Sequence, residues 1–267
     1  MGNLKVVTTS WDDGDPKDRR LAELLESNGV RGTFYVPIVG YLGRKTVEAS
    51  DLRDFCAAGF EIGGHTVSHK SLTGLETKEV RYEVRTCKEI LEHRAGQGVQ
   101  MFCYPNGRYN SRAIKEVRNA GYLGARTTRM LSVGIAGQLR PFEASTTVQA
   151  YPHTTLAYLK NLGRAQNVRG LLNYATELHR LRSWVEMGKH LFNRVLERGG
   201  IWHLYGHSWE IEKLGLWGQL REMLEYVSHC KGVSYLTNGQ LLTLLRDRDR
   251  GERNLKSETK EKETAWH

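Results

Sequence analysis

Two rhythms alternate along the chain: short apolar, β-prone runs, and longer stretches in which apolar residues return every three or four positions. The runs Lys5 to Ser10, Gly32 to Pro37, Phe60 to Gly63, Val99 to Tyr104, Tyr122 to Thr127, Ile201 to Tyr205 and Val233 to Tyr235 read as strands. Between them, Asp18 to Asn28 puts Leu21, Leu24 and Leu25 on one stripe and stops at Gly29, the pattern of a helix with a glycine cap. Asp51 to Ala58 reads as a short helix between Ser50 and Gly59. Thr77 to His93 reads as a longer one, with Val80, Val84, Cys87 and Leu91 on its apolar face. Further helices are expected at Ser111 to Ala120, at Leu216 to Ser228, at Gly239 to Arg246 and, as two or three pieces, across Leu156 to Arg198. Arg129 to Thr155 has no clear period. Strands separated repeatedly by helices predict βα units and a parallel sheet. The count is about seven strands, and counting alone does not exclude a doubly wound sheet.

Composition narrows the picture. A chain of 267 residues suits one domain with a large core. No apolar run approaches the roughly 20 residues of a membrane span, so no transmembrane segment is expected. Met1 to Lys5 passes directly into a strand, from which we expect no signal peptide and a cytoplasmic location. Cys56, Cys87, Cys103 and Cys230 are widely spaced without a CxxC and are expected to be reduced thiols. The formal net charge is +9, and it is not a tail effect, because Arg246 to His267 holds seven basic and six acidic residues. Thr155 to Gly200 carries eight Lys or Arg against three Glu. Such a face suits an anionic substrate, a membrane surface or plain hydration. No nucleic-acid motif accompanies it, so no nucleic-acid partner is expected. The organisation expected is a single domain over 1–245 with a basic helical insertion at about 156–198, then a charged, disordered tail over 246–267.

The candidate chemistry sits at strand ends. Phe60 to Ile62 leads into Gly63-Gly64-His65-Thr66-Val67-Ser68-His69, which puts two imidazoles four residues apart in one loop. The first strand runs out into Trp11-Asp12-Asp13-Gly14, two adjacent carboxylates before a turn residue. Imidazoles and a carboxylate suit a zinc-like ion, and a second carboxylate stays free as a base. Asn106 follows the fourth strand and His207 follows Ile201 to Tyr205. In parallel α/β folds sites form at the carboxyl ends of strands, so four separate segments converge on one rim.

Ser10-Trp11-Asp12-Asp13-Gly14 resembles the first motif of the polysaccharide deacetylase family (NodB homology, carbohydrate esterase family 4), and His65-Thr66-Val67-Ser68-His69 resembles its second, in the same order. The resemblance extends to about residue 245. It implies an α/β fold, a single-domain distorted parallel (β/α)7 barrel, and a metal-dependent N-deacetylase acting on an amino sugar. It implies that Asp13, His65 and His69 bind a divalent metal, zinc first, with cobalt or nickel possible. Asp12 would be the general base, a backbone N–H near Asn106 would help hold the oxyanion, and His207 would be the general acid. His203 competes for that last role, but its mid-strand position suits packing better. Tyr104 and Trp209, with Trp11, Tyr109, Trp202 and Tyr205, are the aromatic candidates for contact with a sugar ring.

Two departures from the family pattern stand out. Its third motif carries an arginine that holds the base, and Cys103 occupies that place here. Its fourth supplies an aspartate that orients the acid histidine, yet no aspartate occurs from Phe55 to Arg246. Arg108, Arg126 and Arg140 are candidates to replace the first, Glu143 and Glu210 the second. The expected partner is a carbohydrate. Location and charge point to a nucleotide- or lipid-linked, phosphate-bearing sugar. Two other readings stay open: a hydrolase of another amide or cyclic amide, and a non-catalytic glycan-binding protein that keeps the metal site.

Overall fold

The computed structural model describes residues 4–134 and 140–264, with residues 252–264 as backbone only. The first half repeats a βα unit. β1 (Lys5–Asp12), α1 (Asp18–Ser27), β2 (Gly32–Val36), α2 (Ala49–Ala57), β3 (Glu61–Gly64), α3 (Thr77–Ala95), β4 (Met101–Cys103), α4 (Ser111–Asn119) and β5 (Gly124–Arg126) follow in order. The two-residue β6 (Val148–Gln149) comes next, then α5 (Thr155–Arg164), α6 (Val168–Thr176) and α7 (Trp184–Arg198). The chain closes with β7 (Gly200–Gly206), α8 (Ser208–Leu214), α9 (Trp217–Val227), β8 (Ser234–Tyr235) and α10 (Asn238–Thr264).

The strands form one curled parallel sheet in the order β5-β4-β3-β2-β1-β7-β6, with β8 pairing β1 off this path. The segment leading to β6 bridges the remaining gap. Thr127 donates to the Ala144 carbonyl on one side, and Thr147 donates to that of His203 on the other, both at 2.8 Å. The curl is thus the distorted (β/α)7 barrel that the family resemblance implied, rather than a doubly wound sheet. β1 lies at its centre, flanked by β2 and β7, and is buried along nearly its whole length, as expected for a parallel strand covered on both faces.

The end of the barrel opposite the strand C-termini is sealed by polar side chains with complete hydrogen bonding. Asn238, at the start of α10, donates to Thr8 Oγ1 at 2.8 Å and accepts from the Tyr35 hydroxyl at 2.8 Å. Glu61 accepts from Thr33 Oγ1 at 2.7 Å and from the Gly239 N–H at 2.8 Å. Buried polar groups satisfied in this way hold a fold together at little net cost.

Three elements differ from the sequence reading. β6 falls inside the stretch without periodicity, because two residues are too few to show one. The seven-residue α8 was not expected. α10 continues helically to Thr264 instead of ending near Arg246, so the described backbone of 246–264 is not the disordered tail expected there. Glu, Lys and Arg are good helix formers and can extend a helix that packing has nucleated.

Candidate functional site

The sheet topology delivers the candidate residues to one rim. β1 ends at Asp12, and Asp13 follows it with φ +77°. β3 ends at Gly64 and releases His65, Thr66 and His69, the last two with φ +68° and +55°. Asn106 beyond β4 has φ +56°. Four of the non-glycine residues in the left-handed region therefore cluster here, as strained backbone tends to do at functional sites. The two glycines before the histidines are required by packing: a Cβ at Gly64 would sit 2.3 Å from the Tyr122 hydroxyl, and one at Gly63 would sit 2.4 Å from the Tyr35 ring.

Asp13, His65 and His69 are all buried and offer ligand atoms within 4.8 Å of one another. Asp13 Oδ1 lies 3.7 Å from His65 Nε2 and 3.1 Å from His69 Nε2. Two of the three donors are aimed by a partner. The Trp209 indole N–H donates to Asp13 Oδ2 at 2.9 Å, which leaves Oδ1 facing the histidines. His65 Nδ1 lies 2.8 Å from the Cys103 carbonyl, so the ring nitrogen on that side carries the proton and Nε2 is bare. Burial pushes the His65 pKa down to about 4, with the His69 charge adding to this against the pull of Asp12 and Asp13, so the ring is neutral at physiological pH. Burial opposes ionisation of Asp13, but His69, 3.1 Å away, and the charges of His207 and His65 hold its carboxyl well below the usual range. Asp13 Oδ1, buried without a hydrogen-bond partner, completes a donor set that fits a divalent cation.

The histidine loop has a support that sequence reasoning missed. Glu83 of α3 is buried and accepts from the N–H groups of Val67 and Ser68 at 2.8 and 2.9 Å, and from Ser68 Oγ at 2.5 Å. Its signal was a carboxylate on the apolar stripe of Val80, Val84 and Cys87.

Both apparently missing tethers are present in other places. Arg126, at the end of β5, is fully buried, and its guanidinium donates to Asp12 Oδ1. The faces of Tyr205 and Tyr35 flank it at 4.9 and 5.3 Å. Arg126 is the direct register partner of Cys103 across the β4–β5 pairing, so the cation reaches the carboxylate from the neighbouring strand. Cys103 Sγ lies 3.7 Å from Asp12 Oδ2. Burial raises the Asp12 pKa, yet the charges of Arg126, His65 and His207 and the Arg126 hydrogen bond outweigh it and leave the carboxyl ionised. Asp12, His65 and Cys103 form a second possible donor group. The guanidinium beside Asp12 repels a cation there, and burial keeps the Cys103 thiol protonated, so the Asp13 set is the better fit.

Glu210, on α8, supplies the other tether. His207 Nδ1 lies 2.6 Å from Glu210 Oε2, and Nε2 lies 3.9 Å from Asp12 Oδ2. Burial alone would lower the His207 pKa. The Glu210 hydrogen bond and the charges of Asp12, Asp13 and Glu210 lift it to about 9, so the ring is a cation at neutral pH. His203 instead packs in the barrel, with Nε2 2.8 Å from Ser10 Oγ.

Asp12, Asp13, His65, His69, Asn106, His207, Trp209 and Glu210 all border one cleft of about 680 Å³. Tyr205 borders it too, whereas Trp11 and Trp202 are wholly buried in the core. Tyr104 is not brought to the cleft. Its ring turns into the core against Tyr109 and its hydroxyl donates to the Phe142 carbonyl at 3.1 Å, which corrects its expected place beside the substrate. Trp209 lines the cleft with its N–H already engaged by Asp13 and its ring covered by the Arg44 guanidinium at 3.5 Å.

A curled parallel α/β barrel with a carboxylate–histidine donor set at its strand C-termini defines a NodB-like fold. Residues 2–125 match the family model for polysaccharide deacetylase. A curated relative, the chitooligosaccharide deacetylase of Azorhizobium caulinodans, is 27% identical over 123 residues, 45% of this chain and 56% of the relative. The chain thus spans little more than half the length of that relative. Among solved structures, one from Mycobacterium smegmatis with a provisional polysaccharide deacetylase assignment matches at TM-score 0.65 and 19% identity, covering 93% of each chain. A carbohydrate esterase family 4 pseudoenzyme from Bacillus anthracis matches at TM-score 0.52 and 14% identity, over 91% of this chain and 66% of that one.

Proposed function

We propose that the protein is a metal-dependent hydrolase that removes an N-acetyl or related acyl group from an amino sugar. The observation that carries this reading is the convergence of the Asp13–His65–His69 donor set with Asp12 and His207 on one cleft, where Arg126 and Glu210 hold the last two. Asp13, His65 and His69 would hold a divalent cation, zinc first and cobalt or nickel next, and such an ion supplies Lewis acidity and acidifies water.

The side chains divide the proton traffic between them. Asp12 has Oδ1 engaged by Arg126, so Oδ2 is the oxygen that accepts a proton. His207, charged at neutral pH, presents Nε2 to the same cleft and donates a proton to the departing amine, a poor leaving group without one. A carboxylate kept ionised and an imidazole kept protonated are the two states that acid–base work requires. Asn106 borders the cleft and fits a role beside the carbonyl oxygen. Trp209 positions Asp13, and Tyr205 adds an aromatic wall for a sugar. The fold is also compatible with a pseudoenzyme, as in the Bacillus anthracis relative. Here the retained carboxylate with its buried guanidinium supports turnover, because a binding module has no use for a base.

The test is metal content together with acetate release from a panel of N-acetylated sugars. We expect about one metal per chain and measurable acetate. Absence of metal even after zinc is added would overturn the reading. Asp12→Asn should lower turnover by about 10²–10⁴-fold while metal content is unchanged. Ligand affinity unchanged with no turnover in either protein would instead identify a binding module.

A further inference from the structure

A second cavity, of about 1580 Å³, adjoins the cleft. Asn106, Arg108, Thr128, Asn161 and Arg164 border both, so the two spaces share a wall. Eight arginines line this second cavity, against the two carboxylates Glu143 and Asp249. Glu143 is already engaged, accepting from Arg140 at 3.1 Å. Among the described residues no carboxylate pairs with Arg108, Arg164 or Arg169. A solvated helix face spreads its charges outward. Arg194 has Glu177 at 3.7 Å, whereas Arg108, Arg164 and Arg169 line a hollow, where like charges repel one another until an anion enters.

The walls are built rather than incidental. Asn161 of α5 donates to the Thr128 carbonyl at 2.8 Å and accepts from the Met130 N–H at 3.1 Å. Asn167, which caps α6, donates to the Met130 carbonyl at 3.0 Å. Arg129 donates to the Ala165 carbonyl at 2.9 Å. These bonds fix α5 and α6 against the segment after β5 and hold Arg164 and Arg169 over the hollow. Guanidinium groups recognise phosphate oxygens through paired N–H donors, which suits several phosphate geometries.

We propose that this cavity is a subsite for a phosphate or diphosphate group attached to the acetylated sugar in the adjoining cleft, an inference that rests on the deacetylase reading above. Two sources share this chemistry, a nucleotide diphosphate and a lipid diphosphate. The same two helices expose Leu156, Leu159, Val168, Leu171 and Leu172, and Val168 also borders the cavity. A lipid carrier is therefore the expected source.

The test compares N-acetylglucosamine, its 1-phosphate, its uridine diphosphate conjugate and a polyprenyl diphosphate conjugate in detergent. Affinity is read by calorimetry and acetate release by kcat/KM, on the metal-loaded wild type and on the Arg164→Gln/Arg169→Gln double variant. The wild type should bind the 1-phosphate at least about 10-fold tighter than the free sugar, and the variant should lose most of that gap. The gap should also shrink with added salt. A circular dichroism spectrum and metal content like the wild type show that the variant is folded. The polyprenyl or the uridine arm, whichever gains most, names the source and supports the subsite either way. Equal affinity for free and phosphorylated sugar, or a gap that survives the double substitution because phosphate merely meets the metal, would overturn the proposal. Phosphate discrimination without acetate release would leave the subsite standing and remove the deacetylase reading. Acetate release from free sugars without discrimination would do the reverse.

Discussion

Asp12 and His207 each depend on one partner, and that dependence can be measured. Arg126 is fully buried in the barrel, out of contact with bulk solvent. Removing one member of such a pair leaves an uncompensated charge, so Arg126→Met should cost about 3–5 kcal/mol in chemical denaturation and abolish most turnover. For His207 the sign runs through Glu210, whose hydrogen bond is the foremost influence raising its pKa to about 9. With Glu210→Gln the ring loses its proton at lower pH, so the alkaline limb of the kcat/KM profile should move down from about pH 9 toward the ordinary histidine range. An unmoved limb would show that His207 does not set it. The sequence placed Asp12, Asp13, His65, His69 and His207 at strand ends by pattern alone, and it named Arg126 and Glu210 only among several candidates. Spacing along the chain says nothing about which long side chain turns inward, and 114 residues separate Asp12 from Arg126. Tyr104 was misplaced for the same reason, since a residue just past a strand end can face the core or the rim.

Between residue and barrel lie the loops and the short helix that aim the ligands. The histidine loop is held from outside by the Glu83 carboxylate on α3, which binds its backbone between the two imidazoles. Outer supports of this kind tune metal sites, so Glu83→Gln should weaken metal affinity by about 10–100-fold in a competition titration, with little change in the ligands themselves. Unchanged affinity would mean that the loop holds its shape without help. The long elements were legible because their apolar stripes or runs extend over enough residues to show a period. α8 escaped notice at seven residues, yet it carries both Trp209 and Glu210. The same brevity hid β6, whose place in the sheet comes from its pairing with β7 and from no pattern of its own.

At the scale of the whole molecule, Asp13 follows the central strand β1, His65 and His69 follow β3, and His207 follows β7. An ion held by Asp13, His65 and His69 ties two of these strand ends together. Binding to the folded state alone stabilises it by mass action, so chelation should lower Tm by roughly 5 °C or more, and zinc should restore it. A Tm indifferent to chelator and to added zinc would argue against a metal at this site. The opposite end of the barrel, closed by Asn238, Tyr35 and Glu61, should be insensitive to this treatment because its hydrogen bonds involve no rim residue.

The facing of Cys103 and Arg126 across one rung of the sheet also bears on how such chains are classified. A column-by-column comparison scores the arginine as lost, and a protein judged on that column would be set aside as degenerate. In space Arg126 lies one strand over, on the same rung as Cys103, and its guanidinium meets the Asp12 carboxylate. A survey that reads neighbouring strands together would find a guanidinium beside the carboxylate in this chain, where a single motif column shows only Cys103.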